Sequence, residues 1–190
     1  MNYFVIFLGA MLVNNIVLVQ FLGICPFLGV SSRISTAIGM GLAVMFVMTI
    51  ATIAAYLIQV FLLVPLSLEF LQTVAFILVI ASLVQLVDIV MKKVSPPLHR
   101  ALGVFLPLIT TNCAILGVAL LIMNREYNLA ESIVFAIASA LGFALALFIF
   151  AGLREQLELY DVPKAMQGAP IALVTAGLLA LAFMGFAGLA

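Results

Sequence analysis

The sequence predicts an all-α polytopic membrane protein, with six transmembrane helices in two inverted three-helix repeats and a single membrane domain over residues 1–190. Three observations lead to this fold class: the composition, the placement of the basic residues and a short internal repeat. Of the 190 residues, 67% are hydrophobic and 7% are charged, whereas a soluble domain carries about 25% charged residues. The seven basic and seven acidic residues cancel, so no excess of charge favours a nucleic acid as partner.

Six apolar segments are long enough to cross a bilayer. A spanning helix needs about 20 mostly apolar residues, because every backbone amide in lipid must be paired internally. The segments are residues 3–22, 37–57, 70–91, 101–123, 132–153 and 169–189. Short loops with polar residues or proline separate them, which predicts six spans.

The basic residues fall almost entirely in alternate loops. The first, third and fifth loops carry Arg33, Lys92, Lys93, Arg100, Arg154 and Lys164. The termini and the other two loops carry only Arg125. Because loops rich in Lys and Arg stay in the cytoplasm, we expect the first, third and fifth loops to be cytoplasmic and both termini to be periplasmic.

A hexapeptide repeats across the two halves of the chain. Residues 25–30 and 113–118 both read Cys-x-x-Leu-Gly-Val, 88 residues apart. The halves, approximately residues 1–92 and 93–190, would each contain three spans. Since three is odd, the second half enters the membrane from the opposite side, as in inverted-topology repeats. Equivalent residues of such repeats approach each other near the midplane, which predicts that Cys25 and Cys113 lie close together.

Residues that break helices surround both cysteines. They are Gly23, Pro26, Gly29, Pro107 and Gly117, together with the polar run Thr110-Thr111-Asn112. Side chains of this polar run compete with helical backbone hydrogen bonds. We therefore predict that the first and fourth spans are interrupted beside the cysteines.

Cys25 and Cys113 admit three interpretations. A free cysteine is often a small buried hydrophobe, and a disulfide would require a specific geometry. Thiolates are also ligands for iron–sulfur clusters, zinc or copper. Because an iron–sulfur cluster normally takes four ligands, two cysteines would need two more from a second copy of the chain or from a paralogue.

A few other polar residues stand out. Asn14 and Asn15 lie within the first span, where they could line an ion path, cap a break or form hydrogen bonds between helices. Asp88 precedes Lys92 by four residues, which favours an ion pair on one helix face. Arg154 is expected in a solvated turn. The sequence contains no phosphate-binding loop, no Ser–His–Asp set and no Cys-x-x-Cys motif, so no catalytic residue is predicted.

The motifs around the cysteines resemble one family. Residues 13–30 and 102–114 resemble the first and fourth spans of the RnfA family (RsxA in some bacteria), which is related to RnfE, NqrD and NqrE. Residues 161–163 and 175–186 agree as well, and the resemblance covers essentially the whole chain.

The resemblance implies a function, a cofactor and a partner. RnfA belongs to the Rnf complex, a redox-driven ion translocase of the bacterial inner membrane. That complex passes electrons between ferredoxin and NAD and moves sodium ions or protons. The family implies a 2Fe–2S cluster shared with the paralogous subunit RnfE, with two cysteines from each. In this chain those ligands would be Cys25 and Cys113. Flavins and further iron–sulfur clusters would belong to other subunits.

Other functions remain open at the level of the residues. An NqrE-like subunit of a sodium-pumping NADH:quinone oxidoreductase is one, although Cys25-Pro26 and residues 111–113 look more like RnfA. A stand-alone secondary carrier is a second, since inverted repeats are common among carriers. Against a carrier, no charged residue lies in the middle of a span. A subunit that serves only assembly is a third.

Overall fold

The structure is a computed structural model that describes residues 3–66, 69–94, 108–109, 112–160, 163 and 166–188. Several residues named above lie outside the described residues. These are Arg100, Pro107, Thr110, Thr111 and Lys164. Most of the first part of the predicted fourth span, residues 101–107, also lies outside them.

The described ranges form helices, turns and short connections, and no strand occurs among them. The α-helices are α1 (Tyr3–Leu8), α2 (Ile24–Val30), α3 (Ile34–Ile58), α4 (Gln72–Val94), α5 (Cys113–Asn124), α6 (Leu129–Leu157) and α7 (Ala169–Met184). Two π-helical turns, Gly9–Val13 and Gln59–Leu63, extend α1 and α3. A short helical turn, Val64–Leu66, follows α3, and 3-10 turns occupy Glu69–Leu71 and Gly185–Gly188. The predicted all-α class is confirmed.

Three of the described helices are long and apolar enough to cross a membrane. They are Ile34–Leu63, Gln72–Ile89 and Leu129–Leu157. Three shorter apolar helices are Tyr3–Val13, Cys113–Asn124 and Ala169–Met184. Each of the six helices falls within or overlaps one predicted apolar segment, in the same order along the chain. The chain is therefore a multi-pass membrane protein.

Helices α3 and α6 form the centre of the bundle. Their contact is the most extensive between any two helices of the described chain. Gly41 of α3 lies against α6, where a Cβ atom added to it would come within 2.9 Å of the Ala144 Cβ atom. Small residues permit this approach, and close packing drives helix association in lipid. In α6, 56% of the most apolar 18-residue stretch is buried, against 17% of the corresponding stretch in α4. Helix α4 therefore lies at the edge of the bundle.

Local side chains secure the ends of two of these helices. At the start of α6, Asn128 and Glu131 form a capping box, which provides acceptors for amides that the helix leaves unpaired. In the last turns of α4, the Lys92 ammonium lies 3.0 Å from the Asp88 carboxylate. The predicted Asp88–Lys92 pair is confirmed.

Candidate functional site

The predicted interruption of the first span is present. The helix that begins at Tyr3 ends with the π-helical turn at Val13, and helix resumes only at Ile24. The break thus covers residues 14–23, so the prediction of helix as far as residue 22 was wrong. Two residues of the break, Phe21 (φ 57°) and Gly23 (φ 83°), have left-handed backbones.

The side chain of Asn15 organises the break. It is completely buried. Its Nδ2 donates to the Gly142 carbonyl of α6 at 2.9 Å and to the Met11 carbonyl at 3.3 Å. Its Oδ1 accepts from the amides of Val17 at 3.1 Å and Leu18 at 3.3 Å. Among the roles considered for this residue, capping the break and bonding to a second helix are the ones observed.

The second cysteine, Cys113, lies at the N-terminus of a helix. Cys113 is the first residue of α5, and the side-chain Oδ1 of Asn112 caps it by accepting from the Ala114 amide at 3.0 Å. Asn112 is only 4% exposed, and its Nδ2 atom has no hydrogen-bond partner in the described structure. A buried donor without an acceptor is costly, so an acceptor at this position would be stabilising.

The backbone just before Cys25 contacts the motif of Cys113. The backbone amide of Gly23, two residues before Cys25, donates a hydrogen bond to Cys113 Sγ at 2.9 Å. One turn further along α5, Gly117 packs against the side chain of Leu22 from the break. The end of the break, just before the first repeat motif, therefore lies against the second motif.

Gly23 fits its position only because it lacks a side chain. A Cβ atom at Gly23 would lie 2.9 Å from Cε2 of Phe143 and 3.1 Å from Cβ of Ala114. The left-handed φ of 83° is also unfavourable for residues with a side chain. Close approach and backbone conformation together make glycine necessary where the break touches α5.

Both thiols are free and exposed on the surface of the chain. No group of three or more His, Cys, Asp or Glu side chains is placed to hold a metal ion among the described residues. The chemistry of two thiols, with a backbone amide directed at one of them and the unpartnered Asn112 Nδ2, would fit a metal–sulfur centre. Two thiols are half of the four ligands that such a cluster takes, and their exposure leaves them accessible to a second protein.

Residues of α6 hold the other cysteine helix, α2. Nη1 of Arg154 donates to the Leu28 carbonyl and to Ser31 Oγ, both at 2.9 Å. One turn earlier, the Phe150 ring stacks on Phe27 with ring centres 4.3 Å apart. Arg154 was expected in a solvated turn, which is wrong: it lies in α6 and is partly buried. The spacing of Phe150 and Arg154 on one helix face was the available signal.

Comparison with known proteins gives a full-length match. The family model described as "Rnf-Nqr subunit, membrane protein" matches residues 3–190. The chain is 58% identical over 188 residues to the A component of the ion-translocating oxidoreductase complex of Syntrophotalea carbinolica, covering 99% of this chain and 97% of that protein. It is 59% identical over 189 residues to the A component of the Na⁺-translocating ferredoxin:NAD⁺ oxidoreductase complex of Acetobacterium woodii, covering 100% and 98%. The corresponding component of the ion-translocating oxidoreductase complex of Serratia proteamaculans is 57% identical over 188 residues, covering 99% and 97%.

Proposed function

Because the chain belongs to the Rnf-Nqr family of membrane subunits, we propose that it is the RnfA-type component of an ion-translocating ferredoxin:NAD oxidoreductase in the bacterial inner membrane. The relatives are named as subunits of oxidoreductase complexes, so the chain acts within a redox-driven translocase and not as a complete enzyme. The same names favour this role over a stand-alone secondary carrier.

The proposed role centres on Cys25 and Cys113 as two of the four ligands of a 2Fe–2S cluster. A paralogous RnfE-like membrane subunit would supply the other two. The observation that carries this assignment is the hydrogen bond from the Gly23 amide to Cys113 Sγ, since it holds the backbone two residues before Cys25 against Cys113. The exposure of both thiols supports completion of the site by a neighbouring protein of the complex.

The surrounding residues have roles that suit two thiolate ligands. When bound, the cluster supplies one-electron transfer between carriers on the two sides of the bilayer. The Gly23 amide stabilises negative charge on Cys113 Sγ, and the side-chain Nδ2 of the preceding residue, Asn112, is a buried donor that has no partner in the described structure. Cys113 also begins a 12-residue helix, whose N-terminal end favours a negative charge.

The proposed topology retains six spans in two inverted repeats. The helices that begin beside the cysteines, α2 and α5, would be equivalent, as would α3 and α6, and α4 and α7. Support comes from the helix order and from the central pairing of α3 with α6. The equivalent helices α2 and α5 differ in length, with 7 and 12 residues. The first, third and fifth loops would face the cytoplasm, with both termini in the periplasm.

Two substitutions test the shared cluster in the purified complex. Cys25→Ala and Cys113→Ser are each expected to abolish one 2Fe–2S signal in electron paramagnetic resonance (EPR) spectra and the ferredoxin–NAD activity. Iron and acid-labile sulfide should fall by about two atoms each per complex, because both ligands are needed for one cluster. Serine is chosen at position 113 because its hydroxyl keeps an acceptor for the Gly23 amide.

Assembly of the complex, followed by size-exclusion chromatography, is the control for both variants. Cys113→Ala provides a matched comparison, since it removes the acceptor as well as the ligand. It should lose the same signal as Cys113→Ser and be less stable. If an assembled Cys25→Ala complex, or both assembled Cys113 variants, keep the signal, the iron content and the activity, the cysteine that was replaced is not a cluster ligand.

A further inference from the structure

The helix that carries Cys25 is too short to be stable alone. Helix α2 has seven residues, whereas isolated helices shorter than about 12–15 residues are marginal even in favourable sequences. It follows the break directly, with Gly23 as its N-terminal cap. The position of Cys25 therefore depends on the contacts that α2 makes with other helices.

Arg154 holds the C-terminal end of α2 by two hydrogen bonds. Its Nη1 donates at 2.9 Å to the carbonyl of Leu28, in the last turn of α2, and at 2.9 Å to Ser31 Oγ just after it. Ser31 is completely buried. Carbonyls at a helix C-terminus lack partners within the helix, and a cation there is favoured by the helix dipole. Charge-assisted hydrogen bonds of this kind are among the strong ones.

An aromatic contact lies beside these hydrogen bonds. The rings of Phe27 and Phe150 stack at 4.3 Å with an angle of 17° between their planes. Both side chains are almost fully buried. The Arg154 guanidinium lies 6.0 Å from the centre of the Phe150 ring. One face of α6 thus fixes α2 at two adjoining points, which prevents it from turning about its axis.

We propose that Arg154 is the positioning residue that holds Cys25 opposite Cys113, an inference that rests on the proposed shared cluster. Cys25 lies one helical turn before Leu28, so a shift of the Leu28 carbonyl moves the Cys25 thiol with it. Cys113 has an anchor of its own in the Asn112 cap, and within the described residues its one bond to the α2 side is the one from the Gly23 amide. Arg154 consequently acts directly on the helix of Cys25 and not on the helix of Cys113.

The test uses Arg154→Met in the intact complex, with two independent readouts. Amide hydrogen exchange in peptides covering α2 should become about tenfold faster or more, because a charge-assisted anchor is lost, while exchange in α5 stays unchanged. The EPR signal that depends on Cys25 should broaden, and its midpoint potential should fall because a nearby positive charge is removed. Arg154→Lys keeps the charge and the capacity to donate but has a shorter side chain without the planar guanidinium, so both readouts should lie between wild type and Arg154→Met.

Arg125→Met is the matched control. Arg125 lies before the other end of α6, with its guanidinium 5.5 Å from the Phe135 ring centre and its Nη1 3.2 Å from Tyr127 Oη. It therefore makes a similar cation–π contact without touching α2, and its replacement should leave both readouts at wild-type values. If Arg154→Met does not assemble, Ser31→Ala removes one of the two acceptors and should give smaller shifts in the same directions.

The outcomes separate the two proposals. Suppose that the wild-type complex has a cluster that requires Cys25, and that Arg154→Met changes neither the EPR signal nor hydrogen exchange in α2. The positioning role of Arg154 is then overturned, while the shared cluster is still supported. A wild-type complex without a cluster at Cys25 and Cys113 overturns the proposed function. In that case faster exchange confined to α2 still shows that Arg154 fixes this helix, and equal exchange shows that it does not.

Discussion

Replacing Gly23 with alanine is expected to pull the break away from Cys113 while changing no ligand. The new Cβ atom would lie 2.9 Å from the Phe143 ring and 3.1 Å from the Ala114 methyl group. Phe143 and Ala114 are both completely buried, so neither can withdraw without disturbing the core. The backbone at position 23 must therefore move, and with it the amide that donates to Cys113 Sγ.

The cost of the Gly23→Ala substitution follows from two terms. An alanine held at a φ of 83° loses about 1–2 kcal/mol relative to a right-handed conformation. Forcing an extra methyl group into a packed interior costs about 1–3 kcal/mol. Together these terms destabilise the closed arrangement by roughly 2–5 kcal/mol, which increases the open population by about thirtyfold or more.

Hydrogen exchange of residues 14–31 in the purified complex measures this opening directly. Exchange in that segment should accelerate by about thirtyfold or more. In a complex that holds the proposed cluster, the loss of the N–H···S bond should also lower its midpoint potential. If this bond stabilises the reduced cluster by about 1 kcal/mol more than the oxidised cluster, its loss lowers the midpoint potential by ~40 mV.

Two other glycines give matched controls. Gly152 lies in α6 with nothing within 4 Å of an added Cβ atom, so Gly152→Ala should leave exchange near Cys113 unchanged. Gly168 has a φ of 87° and equally open surroundings, so Gly168→Ala introduces backbone strain just before α7 without a steric clash. The role given to Gly23 is refuted if the Gly23→Ala complex has the hydrogen-exchange rates and the midpoint potential of wild type. It is also refuted if Gly168→Ala accelerates exchange of residues 14–31 to the same extent.

Two further predictions concern the break and the topology. Asn15→Ala removes the buried side chain that pairs with Gly142 and with two amides of the break; we expect a loss of about 2–5 kcal/mol, measured as a lower melting temperature of the complex. The adjacent exposed Asn14 is the control: Asn14→Ala should stay within about 0.5 kcal/mol of wild type, and equal losses from both variants would contradict the role given to Asn15. Alkaline phosphatase fused to the C-terminus should be active, since the basic-residue bias puts that end in the periplasm; an inactive fusion, with activity instead for one in the loop of Arg33, would reverse the topology.

The sequence was informative where a property depends on residue type and spacing. Apolar composition predicted the helical membrane class, and the spacing of Asp88 and Lys92 predicted their ion pair. Gly23 correctly indicated an interruption just before Cys25, whereas Pro26 lies inside α2. These properties are local, so they can be read along the chain without knowledge of distant contacts.

The limits of the break and the distant contacts of the site could not be predicted from local sequence patterns. Residues 14–22 belong to an apolar segment that predicts a spanning helix, yet they form a break. Asn15 holds this break by donating to the Gly142 carbonyl of α6, which is 127 residues away in sequence. Arg154 likewise bonds to Leu28, which is 126 residues distant, and so a residue predicted in a solvated turn fixes a cysteine helix. Tertiary contacts of this kind override local preference, and no pattern within one segment reveals them.

The break also gives Cys113 a structural role that is separable from any ligand role. Amides within lipid need acceptors, and several in the break find them locally: Asn14 bonds to the Gly9 carbonyl at 2.7 Å, and Leu22 to the Ile16 carbonyl at 3.0 Å. The Gly23 amide instead uses Cys113 Sγ. Removing the sulfur therefore withdraws an acceptor from the first half of the chain as well as a thiol from the second. Reduced stability in a Cys113→Ala complex is thus expected whatever the cofactor, and only the serine variant, which keeps an acceptor, isolates the chemistry of the thiol.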